Sequence, residues 1–135
     1  VTWDDWEYRE QISARVALAI GWKHHPKNPQ LWVEGEREIF TGYYTRGRGR
    51  DAIQDPIWDP ADDSHLALAA AGRMADARRA PFTLTRLRDG LWRAAFTLGG
   101  RYGDASATDQ IPSRAICAAI LRLVEIPDPE RLFKP

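Results

Sequence analysis

The chain has 135 residues, of which 44% are hydrophobic, and its 19 basic and 19 acidic side chains leave a formal charge of zero. That length fits one domain, since domains commonly run to about 100–150 residues, and the apolar share excludes a wholly disordered chain. With no overall basic excess, duplex nucleic acid is not an expected partner.

The first helix is expected from Asp4 to Ile20. Asp4 or Asp5 caps it, Ile12, Val16, Ala19 and Ile20 form one apolar face, and Gly21 stops it. Short extended pieces follow at Trp22–His25, Gln30–Glu34 and Glu38–Thr41, separated by Pro26, Pro29 and Gly35. Residues 42–60 read as an irregular insertion within the domain, and irregular stretches of that length are usually functional or disordered. A second helix is expected from Asp62 to Arg79, with Leu66, Ala70, Met74 and Ala77 on one face and Pro81 barring its continuation.

Phe82–Leu87 and Leu91–Leu98 read as a hairpin. A three-residue loop of Arg88, Asp89 and Gly90 sets Phe82 opposite Phe96, Leu84 opposite Ala94 and Arg86 opposite Trp92. This register gathers the apolar residues on one face, whereas a two-residue turn splits them. Gly99–Asp104 reads as a second loop, Ala105–Thr108 as a short strand, and Pro112–Val124 as a third helix with Ile116, Ala119, Ile120 and Leu123 facing inward. Residues 127–135 form a proline-rich tail. The whole is an α/β domain over residues 1–126, with three helices, about four to six short strands, and one hairpin in the C-terminal half.

The order of several short motifs resembles a known family. They are Ile20-Gly21-Trp22-Lys23; then Trp58-Asp59-Pro60-Ala61-Asp62-Asp63 before an alanine-rich helix; then Phe82-Thr83-Leu84 with Leu91-Trp92-Arg93; and finally Ala115-Ile116-Cys117-Ala118-Ala119-Ile120-Leu121. Together, over roughly residues 10–126, they resemble the phage ABA sandwich domain. The resemblance implies a sheet sandwiched between helix layers, an α-β-α arrangement, and an origin in a phage or prophage. It supplies no catalytic residues. The chain departs from the family pattern at residues 42–55, which are longer and richer in arginine, so specialised function is expected there.

No familiar catalytic or metal-binding pattern stands out. His24 and His25 are adjacent, so in a strand they point to opposite faces and do not share one ion. The sequence has no HExxH motif, and a single cysteine, Cys117, sits mid-helix among small apolar residues, as a buried thiol does. No metal, cofactor or catalytic residue is therefore expected, and the reading is non-enzymatic. Asp55, Asp59, Asp62 and Asp63 leave a small nuclease or hydrolase as a third alternative, although Asp62 and Asp63 are placed to cap the next helix. The single cysteine, the lack of an apolar N-terminal core and the lack of a long apolar run point to the cytoplasm, here that of a host bacterium.

Charge is uneven along the chain. Seven arginines and two aspartates lie between Arg73 and Arg101, while residues 51–63 hold five aspartates and no basic residue. Tyr43, Tyr44, Arg46, Arg48 and Arg50 combine guanidinium groups with flat rings, the chemistry that grips phosphate and stacks on a base. Arg101 and Tyr102 repeat the pairing in the glycine-rich loop, and Trp58 completes the candidate set. The alternative for residues 42–55 is a solvated loop neutralised by Asp51 and Asp55. The leading expectation is a phage counter-defence protein that sequesters a small nucleotide-type immune signal, with homo-oligomerisation left open. The second is a protein-binding inhibitor that docks tryptophans and arginines on a host defence effector.

Overall fold

A computed structural model describes residues 6–27, 31–34, 36–40, 43–46, 53–56 and 58–127. Among them the order is α1 (Trp6–Ala19), β1 (Lys23–His24), β2 (Leu31–Glu34), β3 (Arg37–Phe40), β4 (Tyr43–Arg46), β5 (Ile53–Pro56), α2 (Ser64–Arg78), β6 (Phe82–Arg86), β7 (Trp92–Gly99), β8 (Gly103–Asp109) and α3 (Pro112–Glu125). The fold is α/β, with three helices as expected. Its strands form three antiparallel sheets rather than one: β1-β2-β3, β4-β5 and β6-β7-β8.

The main core lies between the helices and the β6-β7-β8 sheet. Phe96, Ile116, Ile120, Leu123 and Val16 are fully buried there. α3 supplies the continuous apolar face that its spacing predicts, with Ile116, Ala119, Ile120 and Leu123 all buried. On α2 the buried face is Ala67, Ala70, Ala71 and Met74. Ala77 is exposed, so the face expected from the sequence is rotated toward Ala67 and Ala71. Thr83, Thr85, Thr97 and Thr108 lie on the other side of the sheet and are exposed. The described helices pack on the face that carries Phe96, and the face that carries these threonines also holds the buried Ala95.

The hairpin register agrees with the pattern argument. Phe82 pairs with Phe96, Leu84 with Ala94 and Arg86 with Trp92. The two phenyl rings lie 4.9 Å apart at 45°, a tilted geometry that aromatic pairs favour. Leu87 donates to the Leu91 carbonyl, Gly90 to the Leu87 carbonyl, and Gly90 has φ of 88°. These contacts close the three-residue loop that the apolar spacing requires.

Helix ends follow local chemistry. Gly21 has φ of 93°, and Trp22 donates to the Ala17 carbonyl to close α1. The expected Asp4 or Asp5 cap lies outside the described residues. Asp63 alone caps α2, its carboxylate accepting from the His65 and Leu66 amides. Asp62, also expected as a cap, is used elsewhere.

The reading of residues 42–60 as irregular needs correction. β4 and β5 pair antiparallel from Tyr43↔Pro56 to Arg46↔Ile53. Alternation of apolar and polar residues is weak in both segments, and Pro56 masks the second. Residues 47–52 are the connection between the two strands and lie outside the described residues.

Candidate functional site

The glycine-rich turn between β7 and β8 carries the clearest exposed arginine–aromatic pair. β7 ends at Gly99, a short 3-10 turn spans Gly100–Tyr102, and β8 begins at Gly103. Gly99 and Gly100 have φ of 73° and 55°, and a Cβ at either position would meet nothing within 4 Å. The two glycines therefore serve the backbone path, not a close approach. That path fixes where Arg101 and Tyr102 stand.

Arg101 Nη2 donates to the Tyr102 hydroxyl at 3.0 Å, and its guanidinium carbon lies 5.0 Å from the ring centroid. Both residues are exposed. Neither has a carboxylate partner among the described residues. Guanidinium offers five N–H donors, so most of those on Arg101 are available to a ligand. Beside the turn, Arg93 pairs with Asp104 at 3.1 Å, whereas Arg101 has no such partner among the described residues.

The other candidates are placed differently. Tyr43, Tyr44 and Arg46 form β4, which brings them into one ladder segment opposite Pro56, Asp55 and Ile53 respectively. Arg48 and Arg50 lie outside the described residues. Trp58 is half-buried, donates Nε1–H to the Ser13 carbonyl at 3.0 Å, and tilts against Trp22 with centroids 4.6 Å apart. Those contacts explain Trp58 by packing between α1 and the small aromatic cluster of Ala17, Trp22 and Trp32.

A second polar group, not anticipated from the sequence, gathers around the turn at residues 59–63. Arg9 of α1 donates to Asp62 at 2.8 Å, and Arg114 of α3 donates to its other oxygen at 3.1 Å. The Ser113 hydroxyl donates to the Ala61 carbonyl at 2.6 Å. The Asp59 carbonyl accepts from the Asp62 and Asp63 amides, and its Oδ1 is buried without a hydrogen-bond partner. Burial pushes the Asp59 carboxyl above its ordinary value of 3.8, and the neighbouring Asp62 adds to that shift. The group joins α1, α3 and the start of α2, and its arginines are 53 and 52 residues from Asp62. That separation leaves no local spacing from which to find it.

Cys117 is buried in α3, and burial together with Asp59 and Asp62 pushes its thiol up to about 12. Such a thiol carries almost no thiolate at neutral pH and is a poor nucleophile. Among the described residues, no helix is long and apolar enough to cross a membrane, and no three His, Cys, Asp or Glu side chains gather as a metal-binding group.

Compared with known proteins, the chain matches no family model, no curated protein and no solved structure.

Proposed function

We propose that the protein is a non-enzymatic binder of a small nucleotide-type anion, with Arg101 and Tyr102 contributing directly to the site. The observation that carries this reading is the exposed Arg101–Tyr102 pair, oriented by a glycine turn and not neutralised by a carboxylate among the described residues. Guanidinium binds phosphate through charge-assisted hydrogen bonds, and an exposed phenol ring offers a surface for a base. Arg46, Arg48 and Arg50, on and beside the β4-β5 hairpin, supply further cations in this reading, with Tyr43 or Tyr44 as a stacking ring. The resemblance to the phage ABA sandwich domain gives the biological setting. The protein is a phage-encoded counter-defence factor that sequesters a nucleotide immune signal in the host cytoplasm.

A thermal-shift screen against cyclic nucleotides and ADP-ribose derivatives tests this function, because a ligand of the folded state raises apparent stability. At least one nucleotide is expected to raise the melting temperature. Each charge-assisted bond contributes about 1.5–3 kcal/mol, so replacing Arg46, Arg48 and Arg50 together by Ala should weaken that binding by at least about a hundredfold with the fold intact. Unchanged affinity in the triple variant would show that the hairpin arginines are solvated and remove them from the site.

A further inference from the structure

Asp104 is the second residue of β8 and follows Tyr102 by two positions. Register sets its neighbours: Asp104 pairs with Thr97, Ser106 with Ala95 and Thr108 with Arg93. Side chains alternate between the faces of a sheet. Arg93, Ala95 and Thr97 of β7 therefore share one face with Asp104, Ser106 and Thr108 of β8, and it is the face opposite Phe96.

Arg93 and Asp104 are not partners in the ladder, yet Arg93 Nη2 donates to Asp104 Oδ2 at 3.1 Å. The arginine thus runs along the face toward the turn, and Ala95, which lies between the two, is buried. The bond takes one carboxylate oxygen. Asp104 Oδ1 has no hydrogen bond among the described residues, and the side chain is 38% exposed. Thr97 is exposed as well. Directly opposite residues have Cβ atoms about 4.5–5.5 Å apart, so the Thr97 hydroxyl and the open Asp104 oxygen stand side by side. The backbone between them and the Arg101–Tyr102 pair is uncluttered, since a Cβ at Gly99, Gly100 or Gly103 would meet nothing within 4 Å.

The chemistry of this pair selects what it meets. A carboxylate accepts hydrogen bonds and donates none. Beside a phosphate it repels the anion, so it suits a ligand that turns neutral donors toward it. Arg93 offsets its charge, which lets an acceptor stand three residues from Arg101 without cancelling that cation. Whatever the base, the part of a nucleotide between phosphate and base is the sugar, and its donors are hydroxyls. An acidic side chain that accepts from a ribose 2′-hydroxyl is a recurrent solution in nucleotide sites. Threonine adds a hydroxyl that both donates and accepts.

We infer that Asp104 and Thr97 form a sugar subsite that reads the vicinal hydroxyls of a ribonucleotide, with Arg93 as the positioning residue. The inference rests on the nucleotide reading of Arg101 and Tyr102 and adds to it a preference for ribose over 2′-deoxyribose. Phosphate lies at Arg101, the base on Tyr102, and the sugar edge against β7 and β8.

The test is titration calorimetry of the full chain with adenosine 5′-monophosphate, its 2′-deoxy form and guanosine 5′-monophosphate, with thermal unfolding measured alongside. The parent should bind adenosine 5′-monophosphate at least about tenfold more tightly than the 2′-deoxy form, the effect of one hydrogen bond to a charged group. Asp104→Asn should bring that ratio below about threefold and leave the 2′-deoxy form bound at least as tightly as by the parent. Thr97→Val, which keeps the branched shape, should reduce the ratio less. Equal binding of the ribose and deoxyribose forms, lost in Arg101→Ala, would leave the nucleotide reading standing and remove the sugar subsite. An undiminished ribose preference in Asp104→Asn would place the discrimination elsewhere and overturn the inference. So would a preference for guanine over adenine, in place of the ribose preference, that Asp104→Asn abolishes, since the carboxylate would then read the base edge. Absence of binding by all three at millimolar concentration would overturn it too, and the cyclic-nucleotide screen then decides whether the nucleotide reading falls with it.

Discussion

Around Asp62, arginines from two helices are committed to holding the fold together, whereas at the β7-β8 turn Arg101 faces solvent with a tyrosine for a partner. Arg114 is largely covered, its side chain 13% exposed, and Arg9 is 22% exposed. Their partner Asp62 joins segments more than fifty residues apart in the chain. Among the described residues, Arg101 has a polar partner only in the next residue in sequence. Both regions are rich in arginine, and the difference lies in what compensates the charge. A cation met by an internal carboxylate is already satisfied. One resting on an aromatic ring keeps donors for a phosphate.

Substitutions in and beside the two regions should separate these roles. The largest effect is expected at Phe96, which lies in β7 shortly before the turn and is fully buried. Phe96→Ala should cost about 3–5 kcal/mol of unfolding free energy in chemical denaturation. A cost below about 1 kcal/mol would mean that this sheet is not packed as described. Asp62→Ala comes next. Surface ion pairs contribute about 0–1 kcal/mol and breaking a buried pair costs about 3–5, so this half-covered carboxylate should be worth about 2. No change in the denaturation midpoint would make the group around Asp62 as dispensable as a solvent-exposed pair.

Gly100→Ala should follow, at about 1 kcal/mol, because alanine resists the positive φ of 55°. A fully tolerated substitution would contradict the rigid presentation of Arg101 and Tyr102.

The sequence made one of these regions much easier to read than the other. In the C-terminal half, Phe82, Leu84, Ala94 and Phe96 alternate so strictly that one register alone puts them on one face, and α3 repeats its apolar residues at helical spacing. Both are local periodic signals, and both are reproduced in the structure. The Arg101–Tyr102 pair was legible for the same reason, since its members are adjacent. Asp62 looked like a helix cap because the partners that claim it, Arg9 and Arg114, come from distant helices. β4 and β5 were missed since Tyr43–Arg46 and Ile53–Pro56 lack clear alternation and the second ends in proline. Trp58 reads as a site residue from the sequence, whereas in the fold it packs with Trp22 and Trp32 beside Ala17.

Smaller in magnitude, Asp59 gives a pH signature of the group around Asp62. Its carboxyl is raised in the fold by burial and then by Asp62. The stability linked to this group is therefore fully present below the unfolded value of 3.8 and is lost as pH rises through the higher folded value. Asp59→Asn, which stays neutral, should be more stable than the parent at pH 7, and the gain should disappear at acid pH. Destabilisation by Asp59→Asn that is present at pH 7 and fades at acid pH would show instead that the fold holds the carboxyl ionised.

Binding at Arg101 tests the central claim most directly. Titration calorimetry should compare the best nucleotide from the screen on the parent, on Arg101→Ala and on Tyr102→Leu, with thermal unfolding measured alongside. Arg101→Ala should change unfolding free energy by less than about 0.5 kcal/mol, as for an exposed side chain. It should also weaken binding by about tenfold to a hundredfold. Tyr102→Leu should weaken binding less and reduce discrimination among bases. Equal affinity in the parent and in Arg101→Ala, with the fold unchanged, would contradict the account.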